Sequence, residues 1–286
     1  MLGNAFKPTG TDKIDPLLVV LWLALVAIAA LWIAPFIFIL FTALKADATV
    51  MGQSPFALPT DMQIQNFFDA WKTGKFNITL ANSALITLIK VPLGLLVSAC
   101  AAFALSRLQL RWSKAIFLVI VFGTMIPFQV MLPPIFRVVN TIGLTNSYLG
   151  ILLPYLAFGV PYQVFILHGF FKDVPKELSE AARIDGASPF TMFRRIFLPI
   201  SLPVLSALFI LDFVATWNEF AIALVILQNP EKWTLPLGLM SFSSQFQRNY
   251  GQLNAAIVMT VLPAVIVYLI FQRYFVAGLT SGSVKE

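Results

Sequence analysis

The chain is predicted to be an all-α membrane protein with six transmembrane helices. Three observations predict it. Of its 286 residues, 59% are hydrophobic and 11% are charged, against about 25% charged in a soluble domain. Six apolar runs reach the roughly 20 residues that a helix needs to cross a bilayer. The Lys and Arg residues behind the net charge of +6 gather at the ends of those runs, which suits a membrane boundary and not a nucleic-acid footprint. Helices are the expected spans because lipid offers backbone amides no partners. Barrel strands are about 10 residues long and alternate in polarity, whereas these runs are longer and apolar on all sides.

The first run, Leu17–Thr42, extends without a charge to Leu44. That is too long for the core of a cleavable signal, so it is expected to be retained, although Ala27-Ile28-Ala29 inside it resembles a cleavage site. Residues 43–81 form the longest external connection, with Pro55, Pro59 and a short helix expected near Gln65–Trp71. The second run, Asn82–Leu105, carries Lys90 and the single cysteine, Cys100. One cysteine excludes an internal disulfide and a cysteine-rich metal site; Cys100 is expected to be a small packing residue. The third run, Ala115–Phe136, is bracketed by Lys114 and Arg137. Its Pro127, Pro133 and Pro134 predict a kink or an unwound turn. The fourth is Tyr148–Phe171, with His168 near its end as a packing residue. The fifth is Ser201–Leu227, followed by the second sizeable external connection, 228–253. The sixth, Asn254–Phe275, lies between Arg248 and Arg273. No repeat of 20–50 residues and no low-complexity tract interrupts this order.

Orientation follows from Lys and Arg. With the N-terminus in the cytoplasm, twelve basic residues fall inside: Lys7 and Lys13; Arg107, Arg111 and Lys114; Lys172, Lys176, Arg183, Arg194 and Arg195; Arg273 and Lys285. Six fall outside: Lys45, Lys72, Lys75, Arg137, Lys232 and Arg248. This bias predicts cytoplasmic N- and C-termini and a cytoplasmic loop at 172–200.

That loop reads as helix, sharp turn, helix. Pro175 suits a first turn, where its missing N–H costs nothing. Lys176–Ile184 are good helix formers, and Gly186 can adopt the left-handed conformation that ends a helix. Ser188 and Pro189 read as the N-cap and first-turn residue of a second helix. Phe190, Phe193 and Phe197 share one face of it at helical spacing, and Pro199 stops it. Ala181 and Ala182 permit close backbone approach, and Glu180 and Asp185 supply charge for a basic rim. Two uses remain open at this point: docking into another protein, or lying as an amphipathic pair on lipid headgroups.

Within the loop, Glu180-Ala181-Ala182, three residues, Gly186, nine residues, then Ile196-Phe197-Leu198-Pro199 meets every fixed position of a known pattern. It resembles the EAA motif of the permease subunits of bacterial ABC importers. Trp217-Asn218-Glu219-Phe220 and the tail from Phe275 through Gly278, Leu279 and Thr280 to Lys285 resemble the carbohydrate importers of maltose type. The resemblance covers nearly the whole chain, most firmly from Asn82 onward; Lys90 departs from it, since the family usually carries a neutral residue there.

The resemblance implies a type I ABC importer permease architecture with a cytoplasmic coupling-helix hairpin. It divides the chain into residues 1–81 (N-terminal tail, first helix and external loop), 82–275 (the permease core, with the coupling loop at 172–200) and 276–286 (a cytoplasmic tail). It implies that Glu180, Ala181, Ala182, Asp185, Gly186, Ile196, Leu198 and Pro199 couple to an ATPase, and that Gly278, Leu279, Thr280 and Lys285 in the tail touch it. The implied partners are a second homologous permease, an ABC ATPase dimer that binds ATP and Mg2+, an extracytoplasmic sugar-binding protein, a carbohydrate substrate and the bacterial inner-membrane lipid bilayer. No nucleic acid and no cofactor in this chain are implied.

Lys90, Asp212 and Glu219 lie within proposed spans, where ionisable groups are costly and face a bundle interior or water. Counted from the ends of the apolar runs, Lys90 and Glu219 sit at one depth of about 12 Å, so they are expected to pair. Asp212 lies about 10 Å nearer the cytoplasm and is the alternative partner of Lys90 if a helix is displaced. Alternatively, Trp217, Asn218 and Glu219 line a sugar path. A phosphate-binding loop of the form G-x-x-x-x-G-K-[ST] is missing: the sole Gly-Lys pair, Gly74-Lys75, lacks the earlier glycine and precedes Phe76. The chain is therefore not expected to be an enzyme or to power transport alone. A secondary transporter driven by ions, using the buried charges, is the alternative.

Overall fold

The computed structural model describes residues 16–50, 52, 54, 56–242 and 249–280. All regular structure among them is helical. In chain order the helices are α1 (Pro16–Ala43), α2 (Asp47–Val50), α3 (Gln65–Thr73), α4 (Phe76–Arg107), α5 (Ser113–Phe122), α6 (Phe128–Thr141) and α7 (Tyr148–Asp173). They continue as α8 (Lys176–Ile184), α9 (Pro189–Met192), α10 (Leu198–Ile200), α11 (Leu202–Trp217), α12 (Ala221–Ile226), α13 (Leu235–Gly238) and α14 (Tyr250–Thr280). A π-helix, Phe193–Phe197, joins α9 to α10.

Four of these helices, α1, α4, α7 and α14, are long and apolar enough to cross a bilayer unaided. The third and fifth expected spans are broken. The segment Ser113–Met125, which is α5 and the 3-10 turn that extends it, meets α6 at 103° across Ile126-Pro127, where a proline removes an N–H and disfavours helical backbone in the residue before it. Pro133 and Pro134 lie inside α6, so the bend falls at the first proline of the three. The segment Pro189–Ile200 meets α11 at 73°. α11 itself stops at Trp217, so the expected continuous span from Ser201 to Leu227 is two helices, α11 and α12, separated by Asn218-Glu219-Phe220.

The chain divides into two compact units, one from residues 1–67 and 249–258, the other from 68–248 and 259–286. In the first, Asn66 donates to the carbonyls of Ala43 and Lys45 at 2.9 and 3.0 Å. Gly251 donates its backbone N–H to Asp47 at 2.9 Å. A Cβ on Gly251 would come within 2.5 Å of Asn66 Nδ2, so the close approach requires glycine there. α1 is apolar all round and exposes Leu, Val, Ile and Trp on every side, as a lipid-facing helix does.

In the second unit α4 packs along α7 as its largest helix pair. Ile86, Ile151, Tyr155, Ile222, Ile226 and Leu237 form its core. Polar residues near the start of α4 hold the connection that follows α12 onto it. Asn82 donates to the carbonyls of Glu231 and Trp233 and accepts from Tyr148, and Ser83 accepts the N–H of Leu235 at 2.7 Å. Each bond satisfies a group that would otherwise be buried bare. Cys100 is exposed; it does not pack into this core as expected, because α4 turns that face outward. His168 stacks on Phe117 with ring centroids 4.0 Å apart, a packing position.

Candidate functional site

The hairpin at 172–200 is built as its residues dictate. After α8, Gly186 has φ +75°, a backbone state that glycine reaches without a Cβ penalty. Its N–H bonds Arg183 O at 3.0 Å and the next N–H, of Ala187, bonds Ala182 O at 2.9 Å. This pair is the Schellman closure of a helix end. Ser188 Oγ then accepts the N–H of Thr191 at 3.2 Å, with Pro189 in the first turn of α9.

Ala182 is buried, while Glu180, Ala181, Asp185 and Gly186 are exposed around the turn. Ile196 and Leu198 are half-buried farther along, and Pro199 is exposed. The three phenylalanines do not share one buried face. Phe193 and Phe197 are buried, but Phe190 is 69% exposed. Phe190 lies in the first turn of α9 beside the tip, ahead of the π-helix that carries Phe193 and Phe197, so it stands clear of the core those two enter. Ile184 is 87% exposed, so the tip carries two large apolar side chains, Ile184 and Phe190, that spacing alone did not single out. Backbone helix continues through Gly278, Leu279 and Thr280; the side chains of these three residues and all of Lys285 lie outside the described residues.

Behind the hairpin, Arg107 ends α4. Its guanidinium donates to the carbonyls of Phe171 and Val174, where α7 turns into the loop. It also lies over the Phe197 ring, 5.0 Å from the centroid. Phe103, Phe171, Phe193 and Phe197 close around it with centroids 5.1 to 6.5 Å apart. Arg183 of α8 donates to the Arg107 carbonyl at 3.3 Å. One planar, multi-donor cation thus fastens α4, the end of α7 and the second hairpin helix together. The sequence presented Arg107 only as a boundary charge; its place one helical turn after Phe103 was the available signal.

Deeper in the bundle the ion pair is Lys90 with Asp212, not with Glu219. The expected depths were counted from the ends of apolar runs. α4 begins at Phe76 rather than Asn82, which puts Lys90 about 21 Å along its helix. Glu219 lies in the break after α11, so no continuous helix carries the count to it. Gly159 of α7 makes room for the pair: a Cβ there would meet Lys90 Nζ at 2.8 Å and Asp212 Oδ1 at 3.2 Å. Glu219 accepts the Tyr155 hydroxyl at 2.5 Å and the N–H groups of Ile222 and Ala223 at 2.8 and 3.2 Å. An anion suits the first turn of α12. Trp217 is buried, stacks on Phe213 and donates to Thr260 O at 3.0 Å. Asn218 is exposed and donates to Val214 O of its own helix. Lys90, Asp212, Tyr155 and Glu219 border a cavity of about 520 Å³, inside the roughly 300–1,000 Å³ of small-molecule sites.

Residues 90–281 match the family model described as binding-protein-dependent transport system inner membrane component. The chain is 36% identical over 268 residues to the probable ABC transporter permease protein YurM of Bacillus subtilis, covering 93% of this chain and 87% of that one. It is 30% identical over 270 residues to the diacetylchitobiose uptake system permease protein NgcG of Streptomyces coelicolor, covering 94% and 87%. Among solved structures, a chain of a bacterial ABC transporter involved in the import of the acidic polysaccharide alginate superposes with a TM-score of 0.79 at 23% identity, covering 93% of this chain and 99% of that one. That likeness shows the fold.

Proposed function

The chain belongs to the family of binding-protein-dependent transport system inner membrane components, and from that premise we propose that it is a transmembrane subunit of an ABC importer that carries a di- or oligosaccharide into the cytoplasm. It sits in the bacterial inner membrane as a multi-pass protein with both termini cytoplasmic. A second, homologous permease completes the pathway. A separate ATPase dimer binds ATP and Mg2+, and an extracytoplasmic binding protein delivers the sugar to the external loops.

One observation carries this reading: an exposed, rigidly capped hairpin whose tip presents Ile184 and Phe190. Exposed apolar groups of this size suit a protein groove. The hairpin seats in the ATPase; closure of the nucleotide-bound dimer pushes it, and Arg107 passes that displacement to α4 and α7. The spans then exchange inward for outward access, and hydrolysis resets them. The C-terminal tail adds a second contact with the ATPase.

The test is Gly186→Arg. A Cβ at Gly186 meets nothing within 4 Å, so the substitution adds only left-handed backbone strain of about 1–2 kcal/mol within the chain, while its bulk opposes docking. The variant is expected to insert normally, to lose co-purification of the ATPase and to abolish uptake. Normal uptake by a well-expressed variant would falsify the docking role.

A further inference from the structure

The connection between α4 and α5 carries two cations that the fold does not use. Arg111 and Lys114 are exposed, and among the described residues neither side chain has an ion pair or a hydrogen bond. Arg111 lies instead over the ring of Trp112, 5.6 Å from its centroid. Trp112 is 64% exposed, and Ile116 and Val119 follow it at spacings of four and three, exposed as well, the period of one helix face. α5 is the first half of a bent pair long and apolar enough to cross a bilayer. The stripe therefore faces lipid, and Trp112 stands at its end, where the membrane boundary favours that side chain. The elbow is held in shape: Ser113 Oγ donates to Leu105 O at 3.0 Å, and the Leu110 N–H bonds Leu108 O at 2.8 Å.

We propose that this elbow binds an anionic phospholipid, with Arg111 and Lys114 meeting the headgroup phosphate and Trp112, Ile116 and Val119 lying along the glycerol and acyl region. The inference goes beyond the importer reading and does not depend on it. The cations stand at the end of an apolar stripe, so the ligand that answers both joins a phosphate to hydrocarbon. Free phosphate, or an acidic protein surface, answers only the cations. The planar fork of an arginine suits phosphate oxygens, and basic residues at a membrane surface attract anionic lipid.

Charge sets the class. A zwitterionic headgroup brings its own ammonium, which offsets its phosphate. Phosphatidylglycerol leaves a net negative charge for the two unmatched cations. The same helix end carries Arg107, whose carbonyl accepts from Arg183 of α8. A lipid held here tethers the end of α4, and with it the base of the hairpin, to one leaflet.

The experiment uses the protein purified in mild detergent with the subunits that accompany it, titrated with phosphatidylglycerol or phosphatidylcholine and read by native mass spectrometry, which resolves single lipid-binding events. Wild type is expected to bind its first phosphatidylglycerol more tightly than phosphatidylcholine, and excess inorganic phosphate is expected to displace none of it. Arg111→Gln with Lys114→Gln is expected to weaken that first phosphatidylglycerol by about 30-fold and to leave phosphatidylcholine unchanged. Lys172→Gln with Lys176→Gln removes the same charge from the neighbouring loop and is expected to change neither. Equal loss in this control reduces the effect to a diffuse field and overturns the site. Displacement by inorganic phosphate overturns lipid as the occupant. Unchanged phosphatidylglycerol binding in the Arg111 and Lys114 variant overturns the proposal, and loss of companion subunits alongside it assigns the cations to a protein contact. The wild-type titration needs no variant: equal affinity for the two lipids also overturns the proposal. None of these readouts involves transport, so the importer reading stands or falls separately, on the Gly186→Arg test.

Discussion

Lys90 and Asp212 are 4% and 9% exposed and hold each other across α4 and α11. Desolvating two charges consumes most of what their attraction returns, so such a pair adds little net stability, but stranding one partner costs about 3–5 kcal/mol. Lys90→Met is therefore expected to lower the thermal midpoint of the detergent-solubilised complex sharply. Lys90→Met with Asp212→Leu is expected to recover most of the loss. The exchange Lys90→Asp with Asp212→Lys should likewise restore folding, whereas Lys90→Glu with Glu219→Lys should not. Thermal scans of these variants decide it, and equal rescue by both exchanges would contradict the geometry. Glu219 is occupied elsewhere, bonded to Tyr155 and to the first N–H groups of α12.

At the scale of elements, the hairpin is a rigid body fastened at its base. The Schellman closure at Gly186 and the Ser188 cap set the angle between α8 and α9. Arg107 sets where that body sits relative to α4 and α7. These two parts predict different defects. Ile184→Asp puts a charge on an exposed tip without touching the core, so ATPase co-purification should fall while insertion persists. Arg107→Lys keeps the charge but loses the planar fork that reaches two carbonyls and lies over Phe197. Its complex should assemble and hydrolyse ATP, yet uptake per ATP should fall several-fold. Measuring hydrolysis and uptake in the same proteoliposomes separates the two; unchanged coupling in Arg107→Lys would remove the strut.

For the whole molecule the competing account is transport driven by an ion gradient through the buried charges. The pairing of Lys90 with Asp212 and the use of Glu219 as a helix-end acceptor give those charges structural partners. Uptake is expected to stop when vanadate blocks the ATPase and to survive dissipation of proton and sodium gradients at constant ATP. The opposite pattern, measured in cells expressing the full set of subunits, would favour the ion-coupled account. Membership of the family of binding-protein-dependent transport system inner membrane components is the premise of the ATP-driven account.

Composition, run length and the Glu180–Pro199 spacing were enough to read the helical membrane class, the approximate spans and the capped hairpin. These depend on local backbone chemistry: apolar length, a glycine that tolerates positive φ, a serine followed by proline. The partner of Lys90, the outward turn of Phe190 and the strut at Arg107 were not legible. Each depends on where helices begin, break or shift register, and the first and third are contacts between residues distant in the chain. Counting at 1.5 Å per residue assumes a straight helix. The break at Asn218-Glu219-Phe220 and the π-helix at Phe193–Phe197 violate that assumption, so only packing decided which buried charge met which.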